Sequence, residues 1–244
     1  MQYIICHRGI NRTTENSYES IVGINYLTHS YLKYGVEFDI QMTNENLLIC
    51  YHDETLERLH NSNIKIYEIQ KEELLKFNIA ILEDVFDQLT QTDNLINIEI
   101  KYINDSGNSK LKILCYELIK LIESKKIKNY VITSFNSEVI LQLLNMNINN
   151  VGLILSEEYD VEWIRKLVTR GMKYLTIAKN DFDLINKLNF DNIFLLIYTF
   201  FDNVEDYDSD IQLINQLKSI KDKKIGLITD DHELTFNLLL NNCD

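Results

Sequence analysis

Proline is absent from this 244-residue chain, glycine is scarce at seven residues, and the four cysteines never fall at CxxC spacing. Each shortage closes off a class of protein. With no proline there is no proline-rich linker, and no low-complexity tract or internal repeat divides the chain, so one domain over 1–244 is expected. The abundance of isoleucine, asparagine and lysine marks the missing proline as coding bias, and it carries no mechanism. No glycine-rich phosphate loop follows any candidate strand, which disfavours a doubly wound dinucleotide-binding sheet. Cys6, Cys50, Cys115 and Cys243 read as reduced thiols in a cytoplasmic protein rather than as a disulfide framework. No run of about 18 apolar residues occurs, so no membrane span is expected. The N-terminus lacks the basic segment, apolar core and small-residue cleavage site of a secretory leader. Cations are outnumbered, 24 Lys and Arg against 37 Asp and Glu, for a formal charge of −13. Nucleic acid and anionic membrane surfaces are repelled at long range by such a chain. A small anionic substrate stays compatible, because a metal ion and a few basic groups can reverse the field locally.

What the chain does contain is alternation. Apolar, β-rich runs lie at 3–7, 35–40, 47–52, 95–101, 130–135, 151–155, 174–178, 193–200 and 224–230. Between most of them stand segments of helical period, such as SYESIVGINYLTHSYL, SKLKILCYELIKLIES, SEVILQLLNMN, VEWIRKLVTR, DFDLINKL and IQLINQLK. Alternation of this kind means a parallel sheet covered by helices, and so many units close most economically as an α/β (β/α)8 TIM barrel. Nine candidates compete for eight places, so one lies outside the barrel. The polar stretch after His52 breaks the rhythm and predicts a short insertion over 53–94, with an excursion at 53–80 over the barrel mouth.

Charged residues collect at the ends of the early strands. The first run delivers His7 and Arg8, the second Glu37 and Asp39, the third His52 and Asp53, the fourth Glu99 and Lys101. Residues two apart on a strand share a face, so Glu37 and Asp39 point inward while Val36, Phe38 and Ile40 pack outward. Glu99 and Lys101 do the same between Ile98 and Ile100. Buried carboxylates without cations cost several kcal/mol each, on the order of a desolvated ion. Three of them beside one lysine and one arginine call for a hard divalent cation with oxygen ligands. Two strand-end histidines flanking such a cluster suit an acid/base pair.

The motifs HRG (7–9), EN (15–16), ExD (37–39), HD (52–53) and ExK (99–101) together resemble the glycerophosphodiester phosphodiesterase family. SF (134–135) and GLITD (226–230) look like its later landmarks, so the resemblance spans nearly the whole chain. It implies a phosphoric diester hydrolase that releases glycerol 3-phosphate and an alcohol from small glycerophosphodiesters such as glycerophosphocholine. By motif, His7 and His52 are the implied acid and base, and Glu37, Asp39 and Glu99 hold one Mg²⁺ or Ca²⁺, with Mn²⁺ as a further option. Arg8 and Lys101 contact phosphate, and Glu15 orients the site near the glycerol or His7. In that family a free glycerol hydroxyl attacks phosphorus, and water opens the resulting cyclic phosphate.

Two departures stand out. Thr13 and Thr14 replace the proline that usually precedes EN. A late Trp-Thr-x-Asn-like run reads Tyr198-Thr199-Phe200-Phe201, which keeps an aromatic for substrate packing, Tyr198, but drops the asparagine. Competing readings are a phosphodiesterase of lysophospholipid or sphingolipid diesters, a non-catalytic barrel binding a phosphorylated ligand, and a metal-dependent sugar isomerase or aldolase. The missing leader and acidic surface weigh against the first, and the complete acid/base and carboxylate set against the second. HRG with HD gives the third no support. Of the remaining histidines, His29 is expected on a helix surface, His60 in solvent, and His232 at a helix start. Trp163 is expected to pack a helix on the barrel, and Cys6 and Cys50 to be packing residues.

Overall fold

Near-continuous apolar strands need cover on both faces, and here they obtain it by closing into a ring. A computed structural model describes residues 3–29, 32–90, 92–101, 107–156, 159–181, 192–220 and 223–240. Its strands are β1 (Tyr3–Cys6), β2 (Lys33–Met42), β3 (Leu48–Cys50), β4 (Ala80–Ile81), β5 (Leu95–Ile100), β6 (Tyr130–Ser134), β7 (Val151–Ile154), β8 (Tyr174–Ala178), β9 (Phe194–Phe200) and β10 (Lys224–Thr229). Eight of them, β1-β2-β5-β6-β7-β8-β9-β10, pair in parallel, and β10 returns to β1. This is the closed eight-stranded barrel that the alternation predicts. The outsider among the nine candidates is the 47–52 run: β3 pairs antiparallel with the upper half of β2, and β4 follows antiparallel on β3. The turn between β2 and β3 is too short for a crossover helix, so the chain can only fold straight back.

Alternation along the strands sorts the two faces. Val36, Phe38, Ile40, Ile96, Ile98 and Ile100 point outward into the main core against the helices. Inside the ring, Ile5, Leu95, Val131, Phe194, Leu196 and Ile228 fill the lower barrel. That apolar plug leaves only the upper, C-terminal end of the strands open to polar chemistry.

The helices Gly107–Lys125, Ser137–Asn145, Val161–Thr169 and Tyr207–Lys218 stand where the periodicity predicts, and Leu82–Leu89 adds a further helix at the end of the insertion. Trp163 is partly buried against the core. The DFDLINKL segment and Cys243 lie outside the described residues. The expected long helix over 17–32 is corrected: among the described residues of that stretch, Tyr18–Val22 alone is α-helical, followed by a 3-10 turn at Gly23–Tyr26. Gly23 fits closely beneath Ile10, where a Cβ would come within 2.3 Å of its Cδ1, and glycine weakens a helix at that point.

The polar excursion has a core of its own. Tyr51, Leu56, Ile66, Ile69, Leu74 and Ile79 bury together on Ile49 of β3. His60 belongs to this unit rather than to solvent: it is half-buried, stacked on Tyr51 and edge-on to Phe77, because a surrounding aromatic surface covers it. His29 is exposed, with its ring edge against Phe236. His232 opens the last described helix, where Asp231 accepts the Leu234 N–H at 2.8 Å.

Candidate active site

The HRG run is a left-handed turn that ends β1. Arg8 has φ +55° and Gly9 φ +100°, and a Cβ at position 9 would stand 2.3 Å from Ser20 Oγ. Only glycine suits that backbone and that space. The turn aims two main-chain donors at β2: the Arg8 N–H reaches Glu37 Oε2 at 2.9 Å, and the Gly9 N–H reaches the Glu37 carbonyl at 3.1 Å. Arg8 then sends its guanidinium over the mouth, with Nη1 3.2 Å from Glu15 Oε2 and Nε 3.4 Å from Asp39 Oδ2.

Below it, Glu37, Asp39 and Glu99 converge from β2 and β5, with one potential ligand atom from each lying within 4.8 Å of the others. Asp39 and Glu99 face each other in register. All three are buried, Glu37 and Asp39 to 2% exposure or less. Burial works to raise the Asp39 carboxyl, yet Lys101, Arg8 and His52 together hold it below its ordinary value. Glu37 is pushed well above the ordinary range by burial and then by Asp39 and Glu99, and Glu99 is pushed up to about 7 by burial and then Asp39. Lys101 pairs with Asp39 at 3.1 Å and with Glu99. Glu37 Oε1 is buried without a hydrogen-bond partner among the described residues. An orphaned carboxylate oxygen in a mutually repelling trio fits a hard divalent cation with oxygen ligands.

The two histidines flank this cluster by different routes. His7 follows β1 directly, and its Nδ1 lies 2.7 Å from Asp230 Oδ1 just past β10. His52 arrives on the antiparallel return: the Tyr51 N–H donates to the Asp39 carbonyl at 3.0 Å. Buried Gln41 clamps the segment by donating to the Tyr51 and Asp53 carbonyls on either side of it. His52 Nδ1 lies 2.6 Å from Asp53 Oδ1. A carboxylate at Nδ1 of each ring places the proton there and leaves Nε2 for exchange. Burial lowers the His52 pKa below its ordinary value, against the pull of Asp39.

A cavity of about 600 Å³ unites these groups: His7, Arg8, Glu15, Glu37, His52, Glu99, Lys101 and Tyr198 line it, while Asp39 is buried outside the lining. A second cavity of about 510 Å³ adjoins it and shares His52, Lys101 and Phe135. Tyr198 forms part of the first wall, its hydroxyl donating to the Leu155 carbonyl at 3.2 Å and its ring meeting Phe135 edge-on. Phe201, at the asparagine position, turns away and is fully buried, while Asp202 beside it lines the cavity.

Glu15 lines the same cavity as His7, and its carboxylate lies between two guanidinium groups, those of Arg8 and Arg58. Several participants escaped the sequence reading. Asn16 binds Asp39, Arg12 reaches Asp230, and Arg58 holds Asp53. Asn16 was visible within the EN pair; nothing in the sequence marks which arginines turn inward.

The sequence profile of the family described as the Glycerophosphoryl diester phosphodiesterase family matches residues 7–234. A glycerophosphodiester phosphodiesterase of Caldanaerobacter subterraneus is 32% identical over a segment covering 46% of each chain, so the match spans just under half of that relative. A crystal structure of glycerophosphodiester phosphodiesterase from Thermotoga maritima superimposes with a TM-score of 0.75 at 22% identity, covering 98% of this chain and 99% of that one. A phosphodiesterase from Oleispira antarctica, solved in complex with the product sn-glycerol-3-phosphate, gives a TM-score of 0.75 at 16% identity, covering 98% and 96%. At these identities the two structures speak to the fold.

Proposed function

The chain belongs to the glycerophosphoryl diester phosphodiesterase family, and from that premise we propose that it hydrolyses small glycerophosphodiesters, such as glycerophosphocholine, to glycerol 3-phosphate and an alcohol. The observation that carries this reading is the pair of carboxylate-held histidines on either side of one charged floor. Glu37, Asp39 and Glu99 would hold a divalent ion, Mg²⁺ or Ca²⁺ with Mn²⁺ as a substitute. When bound, that ion supplies positive charge for the non-bridging phosphate oxygens. Arg8 and Lys101 add two fixed donors for the same oxygens, where charge grows as the nucleophile arrives.

Displacement at a phosphodiester needs one proton removed from the attacking hydroxyl and one delivered to the departing alkoxide. His7 and His52 divide those tasks through Nε2, each held in one tautomer by its carboxylate. With the glycerol hydroxyl as nucleophile, a cyclic phosphate forms, and water opens it by reversing the two roles. The two cavities that meet at His52, Lys101 and Phe135 suit the two arms of a diester. Tyr198 offers an apolar face for the glycerol carbons. Cys6, Cys50 and Cys115 are buried and free, which suits a reducing, cytoplasmic setting.

The test is release of glycerol 3-phosphate from glycerophosphocholine in EDTA and after adding back Mg²⁺, Mn²⁺ or Ca²⁺, with His52→Ala alongside. Turnover that needs the ion and vanishes in the variant is the expected result. No turnover with any ion, on this or larger diesters, would leave a phospho-ligand-binding barrel in its place.

A further inference from the structure

Resting on the hydrolase reading above, we propose that Arg58 is a positioning residue that fixes His52 and Arg8 together, and that the excursion after β3 supplies the rigid mount for it. Arg58 stands in the cavity wall but pairs with none of the carboxylate trio; its side-chain partners are Asp53 and Glu15, and it acts through them. Its Nε donates to Asp53 Oδ2 at 2.6 Å, while Oδ1 of the same carboxylate holds His52 Nδ1 at 2.6 Å. The other edge of the guanidinium pairs with Glu15. Glu15 in turn receives Arg8 Nη1 at 3.2 and 3.3 Å, and Arg8 Nε lies 3.4 Å from Asp39 Oδ2. One planar fork therefore links the acid/base arm to the phosphate arm.

The mount is built for rigidity. Arg58 sits on the short helix Glu57–His60, next to fully buried Leu56, whose N–H donates to the Ile64 carbonyl at 3.0 Å. A bridge between Thr55 and Lys65 closes the same loop. The excursion's own apolar core anchors it to β3, the strand that delivers His52. The His7 side is built differently. Arg12 reaches Asp230 only at 3.5 Å, and its other nitrogens go to the carbonyls of Phe201 and Asp202. Among the described residues, the His52 arm alone is tied to Arg8 through side chains. A half-exposed ion pair by itself contributes little to stability, but outer-sphere partners that orient a reacting group typically set activity by about 10–100-fold.

The experiment compares wild type, Arg58→Gln and Arg58→Lys in glycerol 3-phosphate release, with Tm and His52 Nδ1–H NMR measured on each. The resonance is assigned by its loss in His52→Asn. For Arg58→Gln, kcat should fall about 10–100-fold with KM within about threefold and Tm unchanged. Arg58→Lys should stay at least about tenfold down, because an ammonium cannot hold two carboxylates in one plane. Added methylguanidinium should restore Arg58→Gly, and methylammonium should not. The Nδ1–H signal should shift or broaden in Arg58→Gln. Unchanged kcat with an unchanged signal, or a loss confined to KM, overturns the proposal. If Arg58→Gln fails to fold, the lysine variant and the methylguanidinium rescue decide it alone. If wild type turns over no diester, the hydrolase reading fails instead, and the NMR signal still tests the brace.

Discussion

Asn16 and Asp39 exchange two hydrogen bonds: the Asn16 Nδ2 donates to Asp39 Oδ2 at 2.9 Å, and the Asp39 main-chain N–H donates to Asn16 Oδ1 at 2.9 Å. One amide thus fixes the backbone and the carboxylate of the same residue. Asn16 reaches it from a left-handed position, φ +56°, that asparagine tolerates better than most side chains. Replacement by alanine removes both bonds while leaving all three carboxylates. Asn16→Ala should weaken divalent-ion affinity by about 10–100-fold, read by calorimetric titration with Mn²⁺. Unaltered affinity would mean that Lys101 and Arg8 suffice to hold Asp39.

Glu99 links metal-free stability to pH. A carboxyl whose folded pKa lies above its unfolded value keeps its proton on folding, so its contribution falls as pH rises from the ordinary carboxylate range through about 7. In EDTA, Glu99→Gln should gain Tm relative to wild type as pH rises across that window. With saturating Mg²⁺ the order should reverse, because the amide brings no charge to the ion. Melting curves at successive pH values give the difference directly, and one that stays flat with pH contradicts the assignment.

The His7–Asp230 pair predicts a graded series. His7→Ala removes a proton carrier and should cost at least about 10²-fold in kcat. Asp230→Asn keeps the ring but loses its orienting charge, and should cost about 10–100-fold with little change in KM. Steady-state kinetics on both variants, checked for unchanged Tm, settle the ranking. Equal losses would mean that Asp230 does more than orient.

Gly9→Ala tests the turn that ends β1 and hydrogen-bonds to Glu37 of β2. At φ +100° a side chain costs about 1–3 kcal/mol in backbone strain alone, and the new methyl also meets Ser20. A Tm fall of roughly 3–10 °C is expected, with activity reduced because the Arg8 N–H leaves Glu37. A variant that melts and turns over like wild type would show that the turn relaxes freely.

Most of the barrel was legible because alternation is a property of single strands: apolar residues at 36, 38 and 40 and carboxylates at 37 and 39 announce which face is which. The inward carboxylates followed from the same parity, and both histidines from their place at the ends of apolar runs. What parity cannot give is direction. The run 47–52 has every mark of a barrel strand, and only the short connection before it decides that it folds back on β2. Nor does the sequence show which residues distant along the chain meet. Arg58 stands in a polar run that reads as solvated surface, and its two carboxylate partners appear only once the excursion packs on β3. His60 was misread for the same reason, since Tyr51 and Phe77 bracket it only after folding.

The fold-back of β3 divides the catalytic groups by the length of chain needed to assemble them. Glu37, Asp39, His52 and Asp53 come together in one local hairpin, whose short loop costs little entropy to close. His7 and Asp230 stand 223 residues apart and meet only when the last strand joins the first. The first group has the kinetics of a local contact, and the second waits for the ring to shut. During refolding, hydrogen-exchange protection at Tyr51, on the hairpin, should therefore precede protection at His7, on the seam. Turnover should return only with the later phase.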